Sequence, residues 1–275
     1  MSKIDAHHHF WRFNPDDYVW MDERMDILKR DYLPGDLKRE MDRVGIDGCV
    51  AIQARQTEEE NRFLLSLVAQ YNFIKGVVGW VDLRSPGANE RLSYYSGFQV
   101  FKGVRHVIHD EPDPGFMLQP DFMRGIAMLK DHNLTYDILI FEKHLENTIM
   151  LVEKFPDQKF VVDHIAKPRI KDNQLEPWKS QIRKLARSGN VYCKISGMVT
   201  EADWTNWAPQ DIMPYMEVVC ESFGSNRLMF GSDWPVCRLA GEYEKIFKLV
   251  DEFIPVQDKE MVFGENAVSF YNLDH

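Results

Sequence analysis

Eight short runs rich in β-branched and aromatic residues recur along this chain, and segments of helical spacing lie between them. The runs fall at residues 4–8, 48–54, 75–83, 101–108, 134–141, 159–165, 191–196 and 227–232. Successive strands joined through helices lie parallel, because the helix carries the chain back to the starting edge of the sheet. Thr57 followed by Glu60 resembles a capping box ahead of FLLSLVAQY. Asp121 can cap FMRGIAMLKDHN, whose Phe122, Ile126 and Leu129 share one face. Pro177 suits the first turn of WKSQIRKLARSG, with Ile182 and Leu185 buried and Gly189 closing it. Residues 142–155 and 243–253 are amphipathic too.

Eight such units in 275 residues match a (β/α)8 TIM barrel, an α/β fold of about 250 residues. Doubly wound sheets alternate in the same way, so periodicity alone leaves the choice open. No GxGxxG or GxxxxGK[ST] opens a helix, which removes the common nucleotide-binding versions of that alternative. No repeat, low-complexity tract or Gly/Ser linker divides the chain, and residues 1–275 read as one domain. The connection at residues 10–34 is unusually long and carries Trp11, Phe13, Tyr18, Trp20 and Tyr32 among many charges. Long connections in compact domains are usually functional or disordered, and the aromatics argue against disorder. A partial lid over a site is expected here, with a merely packed loop as the alternative.

Composition narrows the function classes. With 33 Lys+Arg against 43 Asp+Glu the net charge is -10, and no basic cluster offers a footprint for nucleic acid. The four cysteines, Cys49, Cys193, Cys220 and Cys237, form no CxxC pair and read as reduced thiols. No apolar run approaches the roughly 20 residues of a spanning helix, and the N-terminus lacks a secretory profile. A cytoplasmic enzyme without a membrane partner is expected. Met, Phe and Tyr on outer helices could support a homodimer, though nothing specifies one.

The strongest local signal is Asp5-Ala6-His7-His8-His9. Alternate side chains of a strand share a face, so His7 and His9 stand about 7 Å apart on one side. Two such imidazoles can converge on one metal ion or one substrate oxygen. An expression tag would be longer and would not sit between IDA and FW, and buried histidines without partners are costly. His164, in VVDHIAKP, sits where an apolar strand runs out; taken alone, it reads as structural. Asp233 follows another apolar strand in FGSDWP, where a capping role would also explain it. Together they say more. Strands one, six and eight each deliver a polar group at the C-terminal end, and in a parallel barrel those ends meet on the catalytic face. Gln53 and Arg55 after strand two, and Arg105 and His106 on strand four, add donors at the same rim.

IDAHHHFW, GVRH, VVDHIAKP, GSDWP and FGENAVSFY occur in an order that resembles the amidohydrolase superfamily, specifically its branch of sugar and pyrone-dicarboxylate lactonases. Within the branch the details are most similar to the L-fuconolactone and L-rhamnonolactone hydrolases. The resemblance implies that His7 and His9 form the first-strand metal pair, with His164 the sixth-strand histidine and Asp233 the general acid/base. Binuclear members add a strand-five histidine and a strand-four carboxylated lysine. Here strand five reads Tyr136-Asp137-Ile138-Leu139-Ile140, and Lys102 lies about 13 Å below the rim. One divalent ion on His7, His9 and Asp233, zinc first among candidates, is therefore expected, with metal-independent activity left open.

These residue types suit hydrolysis of a sugar-acid lactone. Asp233 would take a proton from water and return it to the departing ring alcohol, with His164 assisting. A metal ion, or donors such as His164 and Arg105, would stabilise the oxyanion. Gln53, Arg55, Arg105, His106 and Trp234 are the expected substrate contacts, the arginines favouring an anionic substrate or product. Trp11, Trp20, Trp80 and Trp234 offer stacking surfaces for a sugar ring. A metal-dependent decarboxylase of the same superfamily is the alternative, disfavoured by the missing strand-five histidine. A non-catalytic sugar-acid binder would not require His7, His9, His164 and Asp233 together.

Overall fold

The computed structural model describes residues 2–274 and shows a single-domain (β/α)8 barrel. Eight parallel strands follow chain order around the sheet: β1 (Ile4–His8), β2 (Gly48–Ile52), β3 (Ile74–Gly79), β4 (Phe101–Val107), β5 (Thr135–Leu139), β6 (Phe160–Val162), β7 (Val191–Ile195) and β8 (Leu228–Phe230). The barrel closes where the first and last strands end. His8 bridges Trp234 in parallel sense, and the His9 amide donates to the Trp234 carbonyl at 2.7 Å.

Around the sheet lie α1 (Pro34–Val44), α2 (Glu58–Val68), α3 (Ala88–Ser96), α4 (Pro120–Leu129), α5 (Leu145–Lys154), α6 (Trp178–Leu185), α7 (Pro209–Phe223) and α8 (Tyr243–Phe253). A ninth helix, α9 (Asn266–Tyr271), plugs the N-terminal mouth. No helix among the described residues is long and apolar enough to cross a membrane.

Every expected strand is present, but most stop short of the predicted C-terminal limit. Their last residues leave the ladder to build the site. Three helix signals shift. Pro120, with its fixed φ, occupies the first turn of α4, so Gln119 is the N-cap and Asp121 lies inside the helix. Thr57 caps α2 by accepting from the Glu60 amide, yet the Glu60 carboxylate accepts from Ala54 instead of completing the box. α6 ends at Leu185, leaving Gly189 in the turn beyond.

Two strata fill the barrel interior. Ile4, Ala6, Val50, Val78, Val161 and Met229 pack with Phe270, Tyr271 and Leu273 at the bottom. Above them, Asp137 of β5 and Lys194 of β7 are fully buried, with Lys194 Nζ 2.5 Å from Asp137 and 3.0 Å from Asp163. The Tyr271 hydroxyl donates to Asp137 at 2.7 Å and ties the plug to this charged stratum.

Candidate active site

A shift of register in β1 makes the histidine pair usable. Pairing with β2 slips between Asp5 and His8, so Ala6 joins the apolar interior while the next residue, His7, also faces inward. His7 reaches Lys194 at 3.2 Å and Arg105 at 3.3 Å across the barrel. His8 turns away and packs edge-on against Phe10. The neighbouring strands give way at two glycines. A Cβ on Gly231 would lie 2.6 Å from the His7 Cβ, and one on Gly197 would lie 2.4 Å from His164 Nδ1.

His164 opens a left-handed turn. His164, Ile165, Ala166 and Lys167 have φ of 53°, 49°, 63° and 48°. For non-glycine residues this conformation costs roughly 1–2 kcal/mol each. The Lys167 amide donates to the His164 carbonyl at 2.8 Å, and the Trp178 indole holds the Ile165 carbonyl at 2.8 Å. Strain of this kind collects where side-chain placement matters. Asp233 is likewise left-handed, with φ 56°, and its amide donates to the His7 carbonyl at 2.8 Å.

The four expected residues meet at one point. His9 Nε2 lies 3.3 Å from His7 Nε2 and 3.5 Å from Asp233 Oδ1. His7 Nε2 and His164 Nε2 lie 3.8 and 3.9 Å from the same oxygen. His9 Nδ1 is 2.9 Å from the Ile52 carbonyl, which only accepts, so the Nε2 lone pair faces the cavity. Burial, reinforced by nearby cations, holds His7 and His164 well below the usual imidazole range, so both are neutral. Burial opposes the charge of Asp163, but Lys194 and Arg105 outweigh it and keep that carboxyl low.

Neutral imidazole nitrogens beside one carboxylate fit a single divalent ion; ligand atoms of His7, His164 and Asp233 lie within 4.8 Å of one another. Among the described residues a second ion has no comparable home. Lys102 Nζ donates to the Asn272 carbonyl at the opposite mouth. His144, just past β5, faces the Phe141 amide of its own turn at 3.3 Å.

A cavity of about 390 Å³ opens above the constellation. Trp11, Trp20 and Met25 of the 10–34 segment line it, with Trp204, Phe141 and Val236 opposite. That segment is packed, since Trp11 and Tyr32 are fully buried and exchange backbone hydrogen bonds at 2.9 and 3.0 Å. The expected substrate contacts fare unevenly. Arg105 lines the cavity but pairs with Asp163 at 3.1 Å. Gln53 is buried behind it, its amide donating to the Arg105 carbonyl at 3.2 Å. Arg55 lies off the cavity and pairs with Asp17 at 2.8 Å. His106 faces a separate cleft, bonded to Glu111 at 2.6 Å and Trp80 at 3.2 Å. Adjacent strand residues point oppositely, so Arg105 and His106 do not both face inward. Trp234 is buried against Tyr32 and Phe10 and has no face on the cavity.

Sequence reasoning missed Asp163, Lys194 and Asp137, and on the cavity wall Lys167, Glu201, His109 and Trp204. A signal existed for the first group: a lone charge within an apolar buried strand, as in TYDIL and VYCKI, needs a partner.

The amidohydrolase family profile matches residues 4–273. An L-fucono-1,5-lactonase of Burkholderia multivorans is 36% identical, over 98% of this chain and 96% of its own. The L-fucono-1,5-lactonase of Burkholderia ambifaria is 34% identical over 99% and 96%. A crystal structure of a Burkholderia multivorans amidohydrolase with bound zinc superposes with a TM-score of 0.96 at 37% identity, covering both chains fully. With the profile spanning nearly the whole sequence and the barrel bringing His7, His9, His164 and Asp233 to one point, the chain belongs to the amidohydrolase family.

Proposed function

We propose that this protein hydrolyses a neutral sugar-acid lactone of the L-fucono-1,5-lactone kind to the open aldonic acid. The observation that carries the reading is Asp233, left-handed and nearly buried, set among three imidazoles at the floor of a cavity sized for one sugar. Full-length similarity to the two fuconolactonases supports it.

In this mechanism Asp233, as the carboxylate, takes a proton from water as the water oxygen attacks the lactone carbonyl. The ring C–O bond then breaks, and the same proton passes from Asp233 to the departing ring oxygen. Without an ion, His164 and Arg105, which both line the cavity, are the donors for the carbonyl oxygen as it gains charge. His7, His9 and Asp233, joined by His164, are the residues that would hold a divalent ion, zinc first, which supplies Lewis-acid polarisation when bound. The segment at 10–34 acts as a partial lid, with Trp20 over the cavity and Trp11 beneath it.

Substrate charge differs from the sequence expectation. Arg105 and Arg55 are both paired with aspartates, leaving neither free for a substrate carboxylate. A neutral ring fits better. The four unpaired cysteines suit a reducing compartment, the cytosol. No observation favours decarboxylation, since His144 stays out of the constellation.

A pH-indicator assay across sugar lactones tests the reading, because each turnover releases acid. Turnover of L-fucono-1,5-lactone or a stereoisomer is expected. A flat response across 1,4- and 1,5-lactones overturns it.

A further inference from the structure

In the cavity that holds the catalytic group, the wall carries an ion pair with no part in the proton transfers. Lys167 Nζ lies 2.7 Å from Glu201 Oε1, with side chains 15% and 20% exposed, and both residues line the cavity. The pair comes from different elements: Lys167 closes the left-handed turn begun by His164, and Glu201 sits in the short turn Val199–Glu201 after β7. One strained turn therefore delivers two side chains to the cavity, His164 at its start and Lys167 at its end. A partly exposed ion pair stabilises a fold very little, so stability gives no reason to hold that conformation. Beside the pair, the His109 ring stacks on Phe141 at 4.6 Å, and its buried Nδ1 has no partner among the described residues.

We propose that Lys167 and Glu201 together read an adjacent pair of hydroxyls on the substrate ring and determine specificity for polyhydroxylated lactones. The inference rests on the lactonase reading above and deepens it. An ammonium donates and a carboxylate accepts, and the two stand a hydrogen-bond length apart, as neighbouring ring hydroxyls do. One hydroxyl accepts from Lys167 while its neighbour donates to Glu201. The two charges cancel, so the couple attracts no net charge and discriminates by hydrogen-bond pattern. The apolar wall of Trp20, Trp204 and Met25 faces the unsubstituted part of the ring. A lactone lacking either hydroxyl forfeits one hydrogen bond to a charged group, the stronger kind, and is bound less well for it.

The test compares wild type, Lys167→Met and Glu201→Gln on L-fucono-1,5-lactone, its mono-deoxy analogues and unsubstituted δ-valerolactone. Thermal melts check that each variant is folded; Glu201→Gln keeps the turn at 164–167 intact should Lys167→Met disturb it. The wild type should prefer the fully hydroxylated lactone over δ-valerolactone, and each substitution should cut that preference in kcat/KM at least tenfold, mainly through KM. Removing one hydroxyl of the pair should slow the wild type by a similar factor and leave the variants little further affected. Unchanged preference in folded variants, or equal losses on both lactones, overturns the assignment while leaving lactone hydrolysis standing. A wild type that turns over no lactone overturns both.

Discussion

Asp5 and Ser232 bind the first strand to the turn after the eighth. Asp5 Oδ1 accepts from the Ser232 amide at 2.9 Å, and Oδ2 accepts from the Ser232 hydroxyl at 2.6 Å. The same carboxylate accepts from the His7 amide at 3.1 Å and the Tyr243 hydroxyl at 3.0 Å. One side chain thus fixes both the strand carrying His7 and His9 and the turn carrying Asp233. Burial raises its carboxyl to about 6, against the pull of these donors.

Asp5→Ala is expected to lower both stability and turnover. Each buried donor left without an acceptor costs about 1–3 kcal/mol, so a loss of several kcal/mol is expected. Asp5→Asn keeps one acceptor and should sit between alanine and wild type. Urea denaturation with parallel kcat measurements checks this; an unchanged midpoint for Asp5→Ala contradicts it.

Asp233→Asn should lower kcat about 10²–10⁴-fold, the usual contribution of a general base. The amide keeps the shape of the side chain and the left-handed turn, in which Asn is tolerated. The melting temperature should therefore hold while turnover falls. Retained turnover in the folded variant would remove Asp233 from the proton transfers.

The barrel and the His7, His9, His164 and Asp233 set were legible because both leave local marks. Strand runs announce themselves by composition, and polar residues at strand ends stand out against apolar neighbours. His106 and Trp234 are sequence neighbours of site residues and share their region, but the pleat of a strand and the turn at Ser232 aim them away from the cavity. Glu201 carried no local sign and Lys167 only its place in VVDHIAKP, since their meeting depends on a left-handed turn that non-glycine residues give little reason to expect. Ion pairing hid the state of Arg55 and Arg105, whose partners Asp17 and Asp163 are separated from them by 38 and 58 residues.

Metal content should reach one equivalent of divalent ion per chain and no more. His7, His9, His164 and Asp233 surround one position, while Lys102 and His144, the nearest sequence counterparts of a second site, bind backbone elsewhere. Elemental analysis after saturation with zinc and desalting measures the ratio. His9→Ala should lower retained zinc, because it removes the imidazole whose lone pair is fixed toward the cavity. Two equivalents in the wild type would contradict the single position.

Lys194 is a fully buried cation between Asp137 and Asp163, and its removal should be severe. Lys194→Met leaves two carboxylates facing each other without a charge between them, and breaking a buried pair costs about 3–5 kcal/mol. Asp137→Leu in the same chain should recover part of that loss by removing one orphaned charge. Stability from urea melts of the single and double variants decides the point: a double variant less stable than Lys194→Met alone would contradict this account.

Glu60 supplies a pH dependence outside the site. It is buried beneath the β2–α2 connection, where Oε1 accepts from the Ala54 amide at 2.9 Å. Burial raises its carboxyl from 4.5 to about 7, more than its hydrogen bonds and the nearby arginines lower it. Below pH 4.5 the proton is bound in both folded and unfolded chains, so Glu60 is then neutral in its effect. Between that value and about 7 the folded chain keeps a proton that the unfolded chain has released, so stability falls as pH rises across this window and is level above it. The full difference corresponds to about 3 kcal/mol. Glu60→Gln cannot ionise, yet its amide oxygen can still accept from Ala54. The variant should match wild type near pH 4 and exceed it at pH 8, with urea midpoints diverging through the interval. Parallel midpoints at every pH would show that the carboxylate is solvated in the native protein and carries no burial cost.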